Sequence, residues 1–255
     1  MGGQDSLLQT EWKTEAQELE RLLKSSRHTV FFGGAGVSTE SGVPDFRSAA
    51  GIYSQERGAE RILTPGFLYT RPRDFYDFYR RYFILEGIEP NACHRKLADW
   101  ERRHLLQAVI TQNVDNLHQA AGSQRVYELH GSGQHFSCCD CGSCYPLRDV
   151  LPLMAAHPQG VPCCSCGGLL RPDIVLYEEG LDQSVLLGAM QEIAQADLLI
   201  IGGTSLTVYP AAGLVDGLKP GARTVLIDRV RPSRARSVDL YIQAPLGAFF
   251  ACLDY

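Results

Sequence analysis

Short apolar runs alternate along the chain with stretches whose apolar positions recur every three or four residues. Leu19, Leu22 and Leu23 follow the longer spacing, so we predict an amphipathic helix within the first 25 residues. Asn91 can cap a helix that runs through about Arg103. Other helices are predicted at Arg73–Leu85, Asp182–Gln195 and Pro210–Leu218. Buried strands are predicted at His28–Phe32, Leu105–Thr111, Val126–Leu129, Ile174–Glu178, Leu198–Gly202 and Thr224–Asp228.

Strands that alternate with helices are typical of an α/β fold with a doubly wound, mostly parallel, Rossmann-like sheet. Ligands bind such sheets at the carboxyl ends of the strands. Small, polar and titratable residues follow five of the predicted strands, which predicts a nucleotide site at that edge. These residues are Gly34-Ala35-Gly36, Gln112-Asn113-Val114-Asp115, His130-Gly131, Gly203-Thr204-Ser205 and Asp228.

Nine cysteines include two Cys-x-x-Cys pairs that suit one tetrahedral, structural Zn²⁺. The repeated Cys-x-x-Cys-Gly pattern favours four thiolate ligands, and each following glycine, Gly142 and Gly167, permits a turn with positive φ. Cys139, Cys144 and Cys164 lie close by and leave other ligand choices open, and a disulfide framework is the alternative to a metal. The favoured ligands are Cys138, Cys141, Cys163 and Cys166.

Charge and composition narrow the function classes. The chain of 255 residues has a formal net charge of −5 and no block of like charges, so a basic face for nucleic acid is not expected. No apolar run approaches the length of a membrane span. An odd cysteine count without a secretory signal favours a reducing compartment, and we expect a cytoplasmic protein.

Several long motifs, in order, resemble the sirtuin family of NAD-dependent protein deacylases, in a bacterial-type form. The first is the run from Gly34 through Pro44-Asp45-Phe46-Arg47 to Ser48, and the second is Thr111-Gln112-Asn113-Val114-Asp115-Asn116-Leu117-His118. His130-Gly131, Leu170–Glu179 and Gly203-Thr204-Ser205-Leu206 continue the resemblance from about residue 15 to the C-terminus.

The resemblance implies NAD as co-substrate, acyl-lysine proteins or peptides as substrates, and a specific set of site residues. His130 would be the general base, since a histidine is partly neutral near its ordinary pKa. Asp115 would contact the nicotinamide carboxamide and Gln112 the ribose, and Asn113 would join them in catalysis. Phe46 would cover the nicotinamide and Arg47 would neutralise phosphate charge. The remaining expected NAD contacts are Gly34, Ala35, Gly36, Thr39, Asp45, Val114, Gly203, Thr204, Ser205, Asp228 and Leu246.

The peptide is expected along the edge of a strand at Val175, Leu176 and Tyr177, where main-chain hydrogen bonds carry little sequence information. The resemblance also divides the chain. It implies an NAD-binding domain at 1–47, 90–134 and 169–255, a helical cofactor-loop insert at 48–89, and a zinc module at 135–168.

Three positions depart from the family pattern. Asn116 replaces a usual glycine, and asparagine tolerates the left-handed conformation. Asp228 replaces a usual asparagine, and we expect it to bind the adenosine ribose and to repel the extra phosphate of NADP. The acyl-pocket helix has Tyr79 and Tyr82 where the succinyl-lysine branch uses Tyr-x-x-Arg, so acetyl or longer apolar acyl groups are expected.

Three alternatives remain at this point. A non-catalytic zinc-ribbon nucleotide-binding module leaves Asn113, Asp115 and His130 unexplained. A nicotinamide-dependent dehydrogenase needs the full glycine fingerprint, which the chain lacks. Mono-ADP-ribosyl transfer uses the same NAD chemistry with another nucleophile and is not distinguished by the sequence.

Overall fold

The large sheet of the protein is parallel throughout. The structure is a computed structural model and describes residues 12–235 and 238–254. Within those residues the sheet has six strands in the order β3-β2-β1-β7-β8-β9. The strands are β1 (Thr29–Gly33), β2 (Ala108–Thr111), β3 (Val126–Glu128), β7 (Leu198–Gly202), β8 (Arg223–Ile227) and β9 (Leu240–Ile242). The predicted doubly wound Rossmann-like sheet is confirmed.

The strand register aligns the ends of the sheet. Gly33, the last residue of β1, pairs with Thr111 on one side and with Gly202 on the other. Gly202 pairs in turn with Ile227, the last residue of β8. The connections of the chain reverse direction between β1 and β7, and this is where such sheets open a ligand crevice. The polar residues that follow these strands therefore meet at one edge.

Helices cover both faces of this sheet, so its central strands are buried throughout. Phe31 points into one apolar layer, whereas Val30 and Phe32 point into the opposite one. The first layer packs against α1 (Lys13–Ser25), α6 (Ala92–Arg102) and α10 (Leu246–Ala251), and the second against α9 (Gln183–Gln195) and a 3₁₀ helix at Ala211–Gly217. The remaining α-helices of the described residues are α2 (Ile52–Gln55), α3 (Ala59–Ile62), α4 (Pro65–Thr70), α5 (Pro72–Tyr82), α7 (Leu117–Ala120) and α8 (Leu147–Ala156).

A second, antiparallel sheet has three strands, β4 (Gly131–Cys138), β5 (Cys144–Pro146) and β6 (Leu170–Ile174). Their order in the described residues is β5-β4-β6. The prediction of a strand at Ile174–Glu178 is wrong, because pairing with β4 ends at Ile174. The chain then turns, and Glu178 has a positive φ of 75°.

Several local predictions are confirmed. Asn91 caps α6 with a capping box, its side chain accepting hydrogen bonds from Cys93 N and His94 N. Asn116 has a φ of 64°, as expected where the family has glycine. Gly142 and Gly167 have φ values of 73° and 92°. The start of the predicted first helix lies outside the described residues. No helix in 12–235 or 238–254 combines the length and apolar character needed to cross a bilayer.

Candidate active site

The glycine turn after β1 packs directly on the turn after β7. Gly36 N donates to Gly203 O at 2.9 Å, and a Cβ added to Gly36 would lie 2.7 Å from the Gly203 Cα. A Cβ on Gly34 would lie 2.9 Å from Gly203 O. Both positions therefore require glycine for backbone approach. The Ala35 N–H has no hydrogen-bond partner among the described residues, so it is free to bind an anion at the crevice.

Gln112 connects the two halves of the crevice. Its side-chain Nε2 donates to Thr204 Oγ1 at 2.9 Å, across the end of β1. Its backbone carbonyl lies 2.8 Å from His130 Nδ1. A carbonyl only accepts, so Nδ1 of His130 carries the proton and Nε2 is the basic nitrogen. Burial lowers the pKa of His130, which keeps Nε2 unprotonated at neutral pH.

Ser38 binds two of the polar side chains that follow β2. Its Oγ donates to Asp115 Oδ2 at 2.6 Å and accepts from Asn113 Nδ2 at 3.0 Å. Leu117 N donates to the other carboxylate oxygen of Asp115 at 3.0 Å. Burial raises the pKa of Asp115, and the hydrogen bonds from Ser38 and Leu117 oppose that shift.

His94 lies behind Ser38 and has no exposed surface. Its Nδ1 accepts from Asn91 N at 3.3 Å, so the proton of the neutral ring is on Nε2, 3.4 Å from Ser38 Oγ. Burial lowers the pKa of His94 to about 4. The ring packs edge-on against His118, with centroids 4.7 Å apart. The serine hydroxyl is thereby directed to Asp115.

Asp45 shapes the segment that follows the glycine turn. Its Oδ1 accepts from Arg47 N at 3.0 Å and from Ser48 N at 2.8 Å. Phe46 packs its ring 5.5 Å from Tyr53 and 6.3 Å from Phe83. The Arg47 guanidinium is exposed and lies 5.5 Å from the Tyr53 ring centroid.

The other predicted NAD residues follow the ends of β1, β7, β8 and β9 in the chain. Thr39 Oγ1 donates to Gly36 O at 3.1 Å, and Ser205 Oγ lies 2.7 Å from Thr207 Oγ1. The Asp228 carboxylate accepts from Val230 N at 3.1 Å, and burial raises its pKa. Leu246 is buried beneath β7, so only its backbone is available to a ligand.

The first turn of α10 is tied to the glycine-turn segment. The Glu40 carboxylate accepts from Gly247 N at 2.7 Å and from Ala248 N at 2.9 Å. At the start of a helix these two N–H groups have no intrahelical partners, so Glu40 satisfies them. Its negative charge also interacts favourably with the positive end of the helix dipole.

The segment predicted to bind peptide is an irregular loop whose N–H groups are already used. Val175 N donates to His130 O at 2.9 Å, Tyr177 N to Leu63 O at 2.8 Å, and Leu176 N to Glu179 Oε2 at 2.8 Å. Arg171 and Glu179 form a paired ion bridge at 2.7 and 2.9 Å, and Arg171 also donates to Ile174 O at 3.1 Å. The Val175 carbonyl has no partner among the described residues.

Four cysteine sulfurs come together at the end of the small sheet, all within 4.8 Å of one another. Two pairs, Cys138–Cys166 and Cys141–Cys164, have Sγ atoms 3.5 and 3.6 Å apart. A tetrahedral Zn²⁺ with bonds near 2.3 Å requires sulfurs about 3.8 Å apart. All nine cysteines are free thiols. The donor set fits one zinc ion with no open coordination position.

The predicted third ligand, Cys163, is not in this cluster. Cys164 takes its place in the structure. Cys163 forms an isolated antiparallel bridge with Leu169, and its Sγ lies 3.8 Å from Val161 O. Gly167 N then bonds to Cys164 O at 2.9 Å, which closes the second turn one residue later than the sequence pattern indicated.

A model of the Sir2 family matches residues 34–210. A protein from Cutibacterium acnes, named NAD-dependent protein deacetylase, is 47% identical over 235 residues, which cover 91% of this chain and 94% of that protein. The chain belongs to the Sir2 family.

Other Sir2-family proteins agree over nearly the whole chain. An NAD-dependent protein deacetylase from Clostridium acetobutylicum is 44% identical over 234 residues, covering 90% of this chain and 94% of that protein. A solved Sir2 structure with deacetylated p53 peptide and 3′-O-acetyl ADP ribose superposes with a TM-score of 0.86 at 36% identity, covering 92% and 96% of the two chains. A Sir2 structure with p53 peptide and NAD⁺ gives 0.83 at 37% identity, with 92% and 95% covered.

Sequence reasoning missed several residues that complete this Sir2-family site. His94 supports Ser38 from a distant helix, and the Arg171–Glu179 pair holds the loop at Val175–Tyr177. Tyr53 and Tyr177 also share a hydroxyl–hydroxyl hydrogen bond between the cofactor loop and that loop. The eight-residue spacing of Arg171 and Glu179 was visible in the sequence, but the other contacts depend on the tertiary fold.

Proposed function

We propose that this protein removes acetyl and apolar acyl groups from protein lysine side chains with consumption of NAD, giving nicotinamide, O-acyl-ADP-ribose and the free lysine. The relatives from Cutibacterium acnes and Clostridium acetobutylicum carry the name NAD-dependent protein deacetylase. The Sir2 structures that superpose on the chain hold p53 peptide with NAD⁺ or with 3′-O-acetyl ADP ribose. This chain supplies residues suited to both ligands at one crevice.

The observation that carries the proposal is the orientation of His130. With Nδ1–H donating to Gln112 O at 2.8 Å, the basic Nε2 is held in place as a proton acceptor. The lowered pKa of His130 keeps that nitrogen free of a proton at neutral pH. His130 therefore serves as the general base that takes a proton from a ribose hydroxyl.

Bound NAD supplies an electrophilic ribose carbon once its nicotinamide leaves. Asn113 and Asp115 face this end of the crevice, and Ser38 fixes both through hydrogen bonds of 3.0 and 2.6 Å. An amide and a carboxylate together match the donor and acceptor of a carboxamide. Phe46, packed against Tyr53 and Phe83, excludes water from the same region.

The phosphate and adenosine end is held by backbone and small side chains. The Ala35 N–H and the exposed Arg47 guanidinium neutralise phosphate charge. Thr39, Asp45, Thr204 and Ser205 contribute through the turns that they shape, and Asp228 binds the adenosine ribose. Val114 and the backbone of Leu246 are also proposed to contact NAD directly.

The peptide substrate lies along Val175–Tyr177. Because the N–H groups of this loop are already used, the free Val175 carbonyl is the group that accepts a hydrogen bond from the substrate amide. The Arg171–Glu179 bridge and the Tyr177 N bond to Leu63 keep that carbonyl in position. Recognition through main-chain groups explains why the sequence does not name a target protein.

The zinc ion has a structural role. Its four thiolate donors leave no position for water or substrate, so zinc stabilises the small sheet and takes no part in proton transfer. We assign the NAD-binding role to 1–47, 90–134 and 169–255, the cofactor loop to 48–89 and the zinc module to 135–168. The free thiols support a cytoplasmic location.

The proposal is tested by nicotinamide release from NAD with an acetyl-lysine peptide, with the same peptide lacking the acetyl group, and with a His130→Ala variant. Release that needs both the acetyl group and His130 is expected. Release that does not depend on the acetyl group would favour ADP-ribosyl transfer or hydrolysis of NAD. Absence of release from a protein that still binds NAD would favour a binding role.

A further inference from the structure

Tyr79 carries a buried hydroxyl that has no hydrogen-bond partner within the described residues. The residue is 1% exposed. Tyr76, one turn earlier on α5, is equally buried, but its hydroxyl donates to Leu170 O. Buried polar groups are normally paired, and an unpaired one costs about 1–3 kcal/mol. An unpaired hydroxyl on a residue beside a paired one points to a partner that the protein does not itself provide.

The hydroxyl lies where the cofactor motif and the His130 strand meet. A Cβ built on Gly133 would be 3.3 Å from Tyr79 Oη and 3.0 Å from Val114 O. Val114 belongs to the segment that carries Asn113 and Asp115, and Gly133 follows His130 by three residues on β4. The Tyr79 hydroxyl is thus an unpartnered polar group within a mostly apolar cluster that borders the reacting end of the crevice.

The same cluster joins this hydroxyl to the side chains that cover the crevice. The Tyr79 ring stacks on Phe83 with centroids 5.0 Å apart and an interplanar angle of 1°. Phe83 in turn packs against Phe46, with ring centroids 6.3 Å apart. Leu176 and Tyr177 of the proposed peptide loop belong to the same cluster. An acyl-lysine side chain that enters past Phe46 meets these aromatic walls and, at Tyr79, a hydroxyl that has no partner among the described residues.

The charge around Tyr79 selects a neutral partner. Burial, with a smaller contribution from the Asp173 carboxylate, raises the pKa of Tyr79, so the hydroxyl stays protonated. Arg80 pairs with Asp77, and Arg81 lies 3.3 Å from Glu56. Both arginines are exposed and each pairs with another carboxylate, so neither offsets the charge of Asp173. An acyl group that ends in a carboxylate is disfavoured here, whereas a neutral oxygen can accept the proton of Tyr79.

We propose that Tyr79 is a specificity-determining residue that hydrogen-bonds a neutral hydroxyl on the acyl chain, so that hydroxyacyl-lysine is a preferred substrate class. This inference rests on the proposed deacylase function. A four-carbon acyl group with a hydroxyl at its third carbon is favoured over the plain butyryl group of the same length. Sites built to hydrogen-bond a substrate hydroxyl discriminate strongly against the analogue that lacks it.

The test compares kcat/KM for one peptide sequence that carries 3-hydroxybutyryl-lysine, as each enantiomer, or butyryl-lysine, with nicotinamide release as the readout. The ratio of hydroxybutyryl to butyryl, for the better enantiomer, is expected to fall about tenfold in Tyr79→Phe. The matched control is Tyr76→Phe, which removes a paired hydroxyl from the same helix and is expected to leave the ratio unchanged.

The outcomes separate this inference from the function on which it rests. A ratio that is the same in the unmodified protein and in Tyr79→Phe would overturn the role of Tyr79, while acetyl-dependent nicotinamide release would leave the deacylase function standing. A ratio that falls equally in Tyr76→Phe would assign the effect to packing and would also overturn it. Failure of every acyl peptide to support release by the unmodified protein would overturn both.

Discussion

Ser38 Oγ donates a hydrogen bond of 2.6 Å to Asp115 Oδ2, although 77 positions separate the two residues. The same oxygen accepts from Asn113 at 3.0 Å and faces Nε2 of His94 at 3.4 Å. With Asn91 N donating to the other ring nitrogen, each proton in this network has a defined direction. The carboxylate that we assign to the nicotinamide end is therefore held before any ligand arrives.

Replacement of Ser38 by alanine is expected to lower kcat/KM for NAD about tenfold to a hundredfold, because Asp115 and Asn113 lose their shared partner and their orientation. Steady-state nicotinamide release at saturating acetyl peptide measures it. Ser184→Ala, at an exposed position on α9, is the control and is expected to have no effect. An unchanged kcat/KM in Ser38→Ala would mean that Asp115 does not need this hydrogen bond.

Acid is expected to destabilise the fold through His94. Its pKa in the folded protein is about 4, below the ordinary value of 6.5, so the unfolded chain binds the proton first as the pH falls. The contribution of neutral His94 to the free energy of unfolding is therefore fully present above pH 6.5. It is lost as the pH falls from 6.5 to 4, and it amounts to about 3 kcal/mol across that window.

Urea unfolding at pH 7 and pH 4.5 measures this effect. In His94→Gln the titrating group is absent, so the loss of unfolding free energy between the two pH values is expected to be smaller than in the unmodified protein. His104→Gln replaces a solvent-exposed histidine and should keep the full loss. Equal losses in all three proteins would show that His94 is not the group responsible.

Zinc content discriminates between Cys163 and Cys164. The geometry predicts that Cys164→Ser loses bound zinc and lowers thermal stability, because a tetrahedral site keeps only three thiolates. Cys163→Ser should retain one zinc per chain. Metal analysis of the purified variants measures it. The opposite pattern would restore the assignment that the repeated Cys-x-x-Cys spacing favoured.

Asp228→Asn is expected to weaken NAD binding about tenfold, because a charged acceptor for the ribose hydroxyls is replaced by a neutral amide. The preference for NAD over NADP should narrow as well, since the carboxylate no longer repels the extra phosphate. Titrations of both nucleotides measure it, with Asp149→Asn in the zinc module as control. Unchanged affinity for both would refute the role of Asp228.

Loss of the Arg171–Glu179 bridge should act on peptide binding. Arg171→Met is expected to raise KM for the acetyl peptide about tenfold with a smaller change in kcat, because the loop that presents Val175 loses its bonds to Arg171. Arg148→Met changes an exposed arginine of the zinc module and is the control. A lower kcat with unchanged KM would place the bridge in the chemistry rather than in peptide binding.

The sequence alone was sufficient where the signal is local. Asn91 was identified as a helix cap and Asn116 as a left-handed turn residue, because both depend on short-range backbone preferences. The parallel pairing of the sheet is also predicted, since short strands alternate with helices along the chain. These elements bring Gln112, His130 and the glycine turns to one edge.

Other features could not be read from the sequence because distant segments decide them. The apolar run at Ile174–Glu178 has the composition of a strand, but pairing with β4 uses the residues before it and the Arg171–Glu179 bridge bends the rest. Cys163 and Cys164 are adjacent and chemically identical, so the tertiary fold, rather than the residue type, sets which sulfur lies in the cluster.

Glu40, in the segment after the glycine turn, accepts hydrogen bonds from Gly247 and Ala248, more than 200 residues later in the chain. β1 likewise pairs with β7, which is made only after the small sheet is complete. During synthesis the nucleotide crevice therefore cannot close until Gly247 and Ala248 have left the ribosome. Ribosome-bound fragments that end before Gly247 are thus expected to lack NAD turnover.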